Sequence, residues 1–379
     1  MIKVYNQAVM KAIALLTHLH AQKTLLLLAA VAIGAGVYLG FFSSFGDRAL
    51  SVLSPQTKLE QQFFACFEKT DRNKALNCIA EKSPAWIKKF GAKKTGHLPD
   101  VYRAAIGDDF TCHLSAHLIG EDIYAVSEDL PSSMQACTQS CSAGCIHGTT
   151  VGYVAEYGTE KFLASDFNAI CSGKNDTATF GEKTRCFHGI GHALMAGFEG
   201  NVEESLAACN RIRVPDDYRR FQCFTGVFME LFSASQGLSH LTIPSLAYVK
   251  TGDPLYPCTS SFVANNKNYE AACLLQLGVL LPSRAVAEQQ AIFDICNESS
   301  SEGRKWCYTG IGLSIISATS ENSDRLISTC TNAPEMGDQI ACLSGGVGFL
   351  KLDTDSRAVY KKTCNEIPAN LREYACPIN

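Results

Sequence analysis

Several common catalytic signatures are missing from this sequence of 379 residues. It contains no G-x-S-x-G nucleophile elbow and no phosphate-binding loop. H-E-x-x-H is absent, so the zinc hydrolases built on that motif are excluded. No Cys-x-x-Cys exists for dithiol exchange, and therefore no Cys-x-x-Cys-His for covalent haem. There is no long basic run and the net charge is −4, so nucleic acid is not expected as a partner. Strand-like alternation bounded by hairpin turns is scarce. Segments such as Glu60–Glu68, Val202–Cys209, Arg284–Cys296 and Arg357–Cys364 instead have helical composition and apolar spacing.

Cysteine is abundant. Eighteen cysteines, an even number spread at regular spacing, imply disulfides and an oxidising compartment. With 46% apolar residues the chain can bury one large core or two smaller ones. The N-terminus supplies a route for export. Residues 1–23 hold Lys3, Lys11 and Lys23 and no acidic residue, and the nineteen residues from Thr24 to Phe42 carry no charge. At about 1.5 Å per helical residue that run just spans a hydrocarbon core. Lysines before it and a mixed set after it (Asp47, Arg48, Lys58, Glu60) predict a cytoplasmic N-terminus and an exported remainder. A cleaved signal peptide is the competing reading, with Ala30-x-Ala32 as the cleavage site. The long preceding region and the apolar run beyond that site favour a retained signal-anchor. The expected organisation is a cytoplasmic segment (1–23), a transmembrane helix (24–42), a linker (43–58) and a periplasmic or extracellular Cys-rich helical domain (59–379).

Within that domain the cysteines recur. Seven pairs lie eleven to fifteen positions apart: Cys66/Cys78, Cys171/Cys186, Cys209/Cys223, Cys258/Cys273, Cys296/Cys307, Cys330/Cys342 and Cys364/Cys376. Polar, loop-like residues separate the members. After the second cysteine an apolar, glycine-bearing helix usually follows, as in CFHGIGHALM, CFTGVFMEL and CYTGIGLSII. The period of roughly 34–50 residues is that of stacked helical hairpins. Each unit is an inner helix, a turn, an outer helix and a loop into the next inner helix. The expected fold is therefore all-α: a disulfide-stapled helical-hairpin array, an αα solenoid or toroid, behind an N-terminal transmembrane helix. Glycines three and five residues after the second cysteine let neighbouring inner helices approach closely.

Two disulfide connectivities fit. Cysteines can staple each outer-to-inner loop, or join the two helices of one hairpin, since Cys186/Cys209, Cys273/Cys296 and Cys307/Cys330 are all twenty-three apart. The loop staple is preferred because it also accommodates Cys66/Cys78 and Cys364/Cys376. By repeat position Cys137 then pairs with Cys145, leaving Cys112 for Cys141. In hairpin period, over about residues 60–379, the chain resembles Sel1-like and tetratricopeptide repeats, especially the disulfide-stapled kind. The tryptophan and alanine signatures of those families are absent, and the resemblance implies no function.

Five of the nine histidines stand close behind cysteines between Cys112 and Met195. His113/His117 and His188/His192 are i, i+4 pairs, which on a helix place two imidazoles on one face and can put both on one metal. His147 and His188 share a repeat position, two residues after the cysteine, where later units carry Thr225, Leu275, Thr309 and Ser344. The scaffold does not need histidine there. The candidate metal ligands are thus His113, His117, His147, His188 and His192, for copper, iron or zinc. Glu121, one further turn along the His113/His117 face, is the candidate catalytic carboxylate, as ligand or general base. His97 and His240 lack this context. Cys137-x3-Cys141-x3-Cys145 does not match iron–sulfur spacing, while non-covalent haem between two histidines remains compatible. Asn175 and Asn297 open glycosylation sequons only if the host glycosylates.

Two functions follow. One is a membrane-anchored, extracytoplasmic metal-dependent enzyme, with redox chemistry favoured over hydrolysis by the histidine-dominated ligand set. The other is a non-enzymatic repeat scaffold that binds a partner protein in its groove. A closed knot of histidines separates the first from the second.

Overall fold

The computed structural model describes residues 57–68, 71–106, 109–138, 141–172, 178–235, 250, 252–283, 289–318, 322–352 and 357–376. The expected cytoplasmic segment, the 24–42 span and most of the linker lie outside them. Among the described residues no helix is long and apolar enough to cross a membrane. The described residues are overwhelmingly helical, and among them pairing of the β type is confined to one isolated bridge between Lys250 and Asp253.

Seven inner helices carry the architecture: α1 (Asp109–Ser127), α2 (Gly144–Leu163), α3 (Phe180–Gly197), α4 (Asp217–Ser235), α5 (Lys267–Leu280), α6 (Ser301–Ala318) and α7 (Met336–Leu352). Shorter outer helices alternate with them, among them Leu130–Ala136, Val202–Arg211, Gln289–Asn297 and Ser323–Cys330. The outer helices are amphipathic. Val202–Arg211, for example, buries Val202, Leu206 and Cys209 and turns Glu203, Glu204 and Arg211 away. Its start is fixed by Asn201, whose side chain accepts from the Glu204 backbone N–H. Thr179 and Glu182 close a reciprocal capping box at the start of α3.

Consecutive inner helices lie side by side and run the same way. Along α1 and α2, His113 faces Gly144, His117 faces Gly148, and Tyr124 faces Gly152. The approach is close enough for glycine to be obligatory. A Cβ on Gly120 would collide with the Cys145 carbonyl, and one on Gly148 with the His117 carbonyl. The same reciprocal contact recurs between α3 and α4 (Gly191, Gly226), and between α5 and α6 (Gly278, Gly310). This is the close approach expected from the glycines after each cysteine.

All eighteen cysteines are paired. The seven repeat pairs are disulfides, as are Cys137–Cys145 and Cys112–Cys141. The loop staple is therefore the connectivity, and the alternative within one hairpin is not adopted. In the chain-entropy picture, closing a loop of about fifteen residues stabilises by up to ~3 kcal/mol. Such staples hold short helices that could not persist alone in water.

The array curls back on itself. Leu352 at the end of α7 abuts Gly181 at the start of α3, and α6 touches α1. Two apolar clusters result. A small N-terminal one contains Phe63, Ile79, Trp86 and, from α1, Ile119 and Ile123. A large one runs from Val151 of α2 to Cys376. The histidine-bearing helices stand where the two meet.

The glycine contacts make a direct test. Gly310→Ala drives a methyl into the Leu275 carbonyl and is expected to lower the unfolding free energy by about 1–3 kcal/mol. Gly348, in α7, has open space at its Cβ position, so Gly348→Ala is expected to be neutral or to stabilise by up to ~1 kcal/mol. Urea midpoints of the oxidised proteins distinguish them, and equal shifts would contradict the packing described.

Candidate metal centre

The centre is assembled by three consecutive inner helices. His113 and His117 come from α1, one turn apart; His147 comes from the start of α2; His188 and His192 come from α3. Because α1, α2 and α3 run parallel and in register, their histidine turns meet at one level. Gly189 leaves the room, since a side chain there would strike the His147 ring.

Four of the five form a closed knot. His113, His117, His147 and His192 each offer a ring nitrogen, and these atoms all lie within 4.8 Å of one another. The four are 6%, 5%, 1% and 1% exposed, so water is largely excluded. His147 is the hub: its ring lies 5.4 Å from that of His113, 5.3 Å from His117, 5.1 Å from His188, and stacks at 4.9 Å on His192. The Nε2 atoms of His113 and His117 are 3.1 Å apart, and those of His188 and His192 are 3.2 Å apart. Two nitrogens bound at 2.0–2.1 Å to one tetrahedral ion would stand about 3.3 Å apart.

Groups around the knot set the tautomers. Nδ1–H of His113 donates to the Cys141 carbonyl at 2.7 Å, because a carbonyl can only accept, so the lone pair is on Nε2. Nδ1 of His192 donates to the buried carboxylate of Glu230 at 2.6 Å, again leaving Nε2 as the donor atom. A carboxylate or carbonyl behind an imidazole orients the ring and raises its basicity as a ligand. The Cys112–Cys141 disulfide carries the first of these contacts. Cys141 and Ala143 beside it adopt left-handed backbone at φ 53° and 59°, a conformation that costs energy for a residue with a side chain.

Neither ring nitrogen of His147 has a hydrogen-bond partner, although both are buried. Leaving a buried polar atom unsatisfied costs about 1–3 kcal/mol. The ring is sealed from water and surrounded by four other imidazoles. The four-histidine group can hold a transition metal.

Burial also sets the protonation. It pushes His113 down to about 4 from 6.5, outweighing the Cys141 contact. It holds His147 and His188 well below the ordinary histidine range, with neighbouring imidazoles adding to the effect. All three are neutral at pH 7, as ligation requires. Glu121 lies the other way. Burial, then Asp122 and Glu230, hold its carboxyl well above the usual range.

His188 and Glu121 stand outside the four. His188 is half-buried at the edge of the knot, against α4. Glu121 lies one turn beyond His117, its carboxyl held well above the usual range by burial. His97 is exposed and pairs with Asp100 at 2.5 Å, away from the knot, and His240 lies outside the described residues. Two contributors escaped the sequence reading, Met229 and Glu230 of α4. Met229 occupies the repeat position of His192, six residues after the cysteine. Glu230 is the lone charge in the apolar stretch Phe224–Phe232. Those two cues were the available signals.

No family model, curated protein sequence or solved structure matches the chain.

A pH series tests the protonation scheme on metal-free protein. A histidine held neutral in the fold takes up a proton on unfolding below about pH 6.5. Stability is therefore full above that pH and falls as acid is added, by up to ~1.4 kcal/mol per pH unit for each such histidine. Glu121 acts in the opposite sense, because its folded form keeps a proton that the unfolded chain loses above about 4.5. Urea midpoints between pH 6.5 and 5 are expected to fall with acid, less steeply in His147→Leu and more steeply in Glu121→Gln. Identical slopes in all three would contradict the scheme.

Proposed function

We propose that the protein is a membrane-anchored, extracytoplasmic metalloprotein of the redox class, with its metal on His113, His117, His147 and His192. The observation that carries this reading is the His147 ring, whose two buried nitrogens have no protein partner at the centre of a closed histidine knot.

The ligand set narrows the chemistry. Hydrolytic zinc sites keep three protein ligands and an open position for water. Here four imidazoles converge and exclude solvent, which favours an ion that changes oxidation state over one that activates water. Copper and iron both suit imidazole. Such an ion would supply one-electron chemistry. The chain's own residues would fix its geometry: Glu230 and the Cys141 carbonyl orient two of the rings, and the apolar clusters on either side keep the surroundings dry. Glu121, one turn from His117 and with its carboxyl pushed up by burial, would hold or give up a proton as charge at the centre changes.

The nine disulfides belong to an oxidising, extracytoplasmic compartment. The membrane anchor is supported by the nineteen uncharged residues 24–42 and the lysines before them. An αα array of this kind also offers a groove to a partner protein. The later units, where the equivalent positions are Leu275, Thr309 and Ser344, fit that second function, while the closed histidine knot on the first three inner helices favours the metal site.

Elemental analysis of protein purified without a histidine tag provides the test. Wild type is expected to carry close to one equivalent of copper or iron, His147→Ala and His192→Ala to lose most of it, and His97→Ala to retain it. A wild-type protein that is free of metal and takes up no added copper, iron or zinc would falsify this reading and leave the scaffold.

A further inference from the structure

The edge of the histidine knot has a chemistry of its own. His188 Nδ1 is 2.8 Å from Thr225 Oγ1. The Thr225 hydroxyl donates its single proton to the Gln222 carbonyl at 2.7 Å. With that bond made, Oγ1 accepts from the imidazole, and in this tautomer His188 carries its proton on Nδ1 and its lone pair on Nε2. That lone pair faces the Met229 sulfur at 3.2 Å and His192 Nε2 at 3.2 Å. His192 likewise has its proton on Nδ1, given to Glu230. In that tautomer three electron-pair donors, two imidazole nitrogens and a thioether sulfur, converge at contact distance, a donor set that suits a soft cation.

Resting on the four-histidine reading, we propose that His188 Nε2 and Met229 Sδ form a second metal position at the edge of the knot, selective for a soft monovalent ion, copper(I). The thioether gives the selectivity. Sulfur of this kind binds copper(I) and offers little to zinc or to the harder ions. The placement gives a role. His188 and Met229 are half-buried whereas the four histidines are sealed, so this is the side from which an ion can enter. His192 Nε2 touches both positions. An ion held by His188 and Met229 is one ligand exchange from the centre, with His192 as the shared imidazole. The position is a loading port that admits copper in its reduced form.

The scaffold does not call for these side chains. Thr225 and Met229 stand on α4 where His188 and His192 stand on α3, two and six residues after their cysteines, and the corresponding pair on α6 is Thr309 and Leu313. A methionine exchanged for leucine at Met229 keeps the packing volume and removes only the sulfur.

The test titrates the purified full chain, free of oxygen, with copper(I) buffered by a chromogenic chelator, and separately with zinc(II). Wild type is expected to bind a second copper(I) equivalent that zinc does not supply. Met229→Leu is expected to weaken that equivalent at least about tenfold while zinc binding to the four histidines stays unchanged. X-ray absorption of the copper(I)-loaded wild type should show one sulfur among its nitrogen neighbours, a readout independent of any variant. Copper(I) binding that is the same in Met229→Leu, or a wild-type spectrum without sulfur, overturns the second position and leaves the centre standing. Wild type that binds neither copper nor zinc overturns both.

Discussion

Five imidazoles packed against one another in a space largely closed to water are the constraint on which this structure depends. They cannot all be charged, since burial and mutual repulsion hold His113, His147 and His188 neutral. A neutral imidazole has one proton and one lone pair, and the outward nitrogens of His113 and His192 give their protons to Cys141 and Glu230, so their inward nitrogens present lone pairs. At the hub, neither buried nitrogen of His147 has a hydrogen-bond partner. An apolar residue at any of these places would pack without that cost, as Leu275 does at the equivalent position on α5. The array keeps histidine only on the first three inner helices, so the cost is local and is tied to a site.

The rest of the fold can be understood as what holds such a cluster together. Glycine contacts bring the backbones of α1 and α2, and of α3 and α4, to the closest approach side chains would allow. At that separation short side chains from neighbouring helices meet at one level. A disulfide at each outer-to-inner loop fixes the height of every inner helix relative to the preceding outer one. The histidine two residues after the cysteine is thereby held at a set distance from a covalent anchor. The same covalent rule operates in the later units, where it supports ordinary packing: Arg304 pairs with the buried Asp338 between α6 and α7, and Phe293 lies on Tyr308. Placement of rigid side chains on rigid elements is the requirement for a metal site.

Much of this was legible in the chain. Cysteine spacing carries the loop staples because both partners of a bond recur together in every unit, including the terminal ones. The glycine positions carry the close helix contacts because a helix gains nothing locally from glycine, and at Gly148, Gly191, Gly226, Gly278 and Gly310 the neighbouring backbone fills the place of a side chain. The i, i+4 pairs His113/His117 and His188/His192, with His147 in repeat alignment, lead to the cluster. What spacing could not give is the boundary between a ligand atom at the centre and one at its edge. His188 occupies the same repeat position as His147, yet it turns toward α4 because Thr225 and Met229 are there to receive it. Met229 and Glu230 were illegible for a related reason. Their role depends on which helix they face, and a periodic pattern treats a methionine in an apolar run as core. Glu121 shows the same limit: the helical period places it beyond His117, but the burial and neighbouring carboxyls that push its carboxyl above the usual range come from the fold.

The central claim is that the four inward nitrogens share one metal ion. Diffraction from crystals of untagged protein, collected on both sides of the copper and iron absorption edges, addresses it most directly. The account predicts a single strong anomalous peak bonded to His113, His117, His147 and His192, with the His147 ring turned so that one nitrogen reaches it. A map with no such peak, in which both His147 nitrogens are instead hydrogen-bonded to ordered water or main chain, would contradict it.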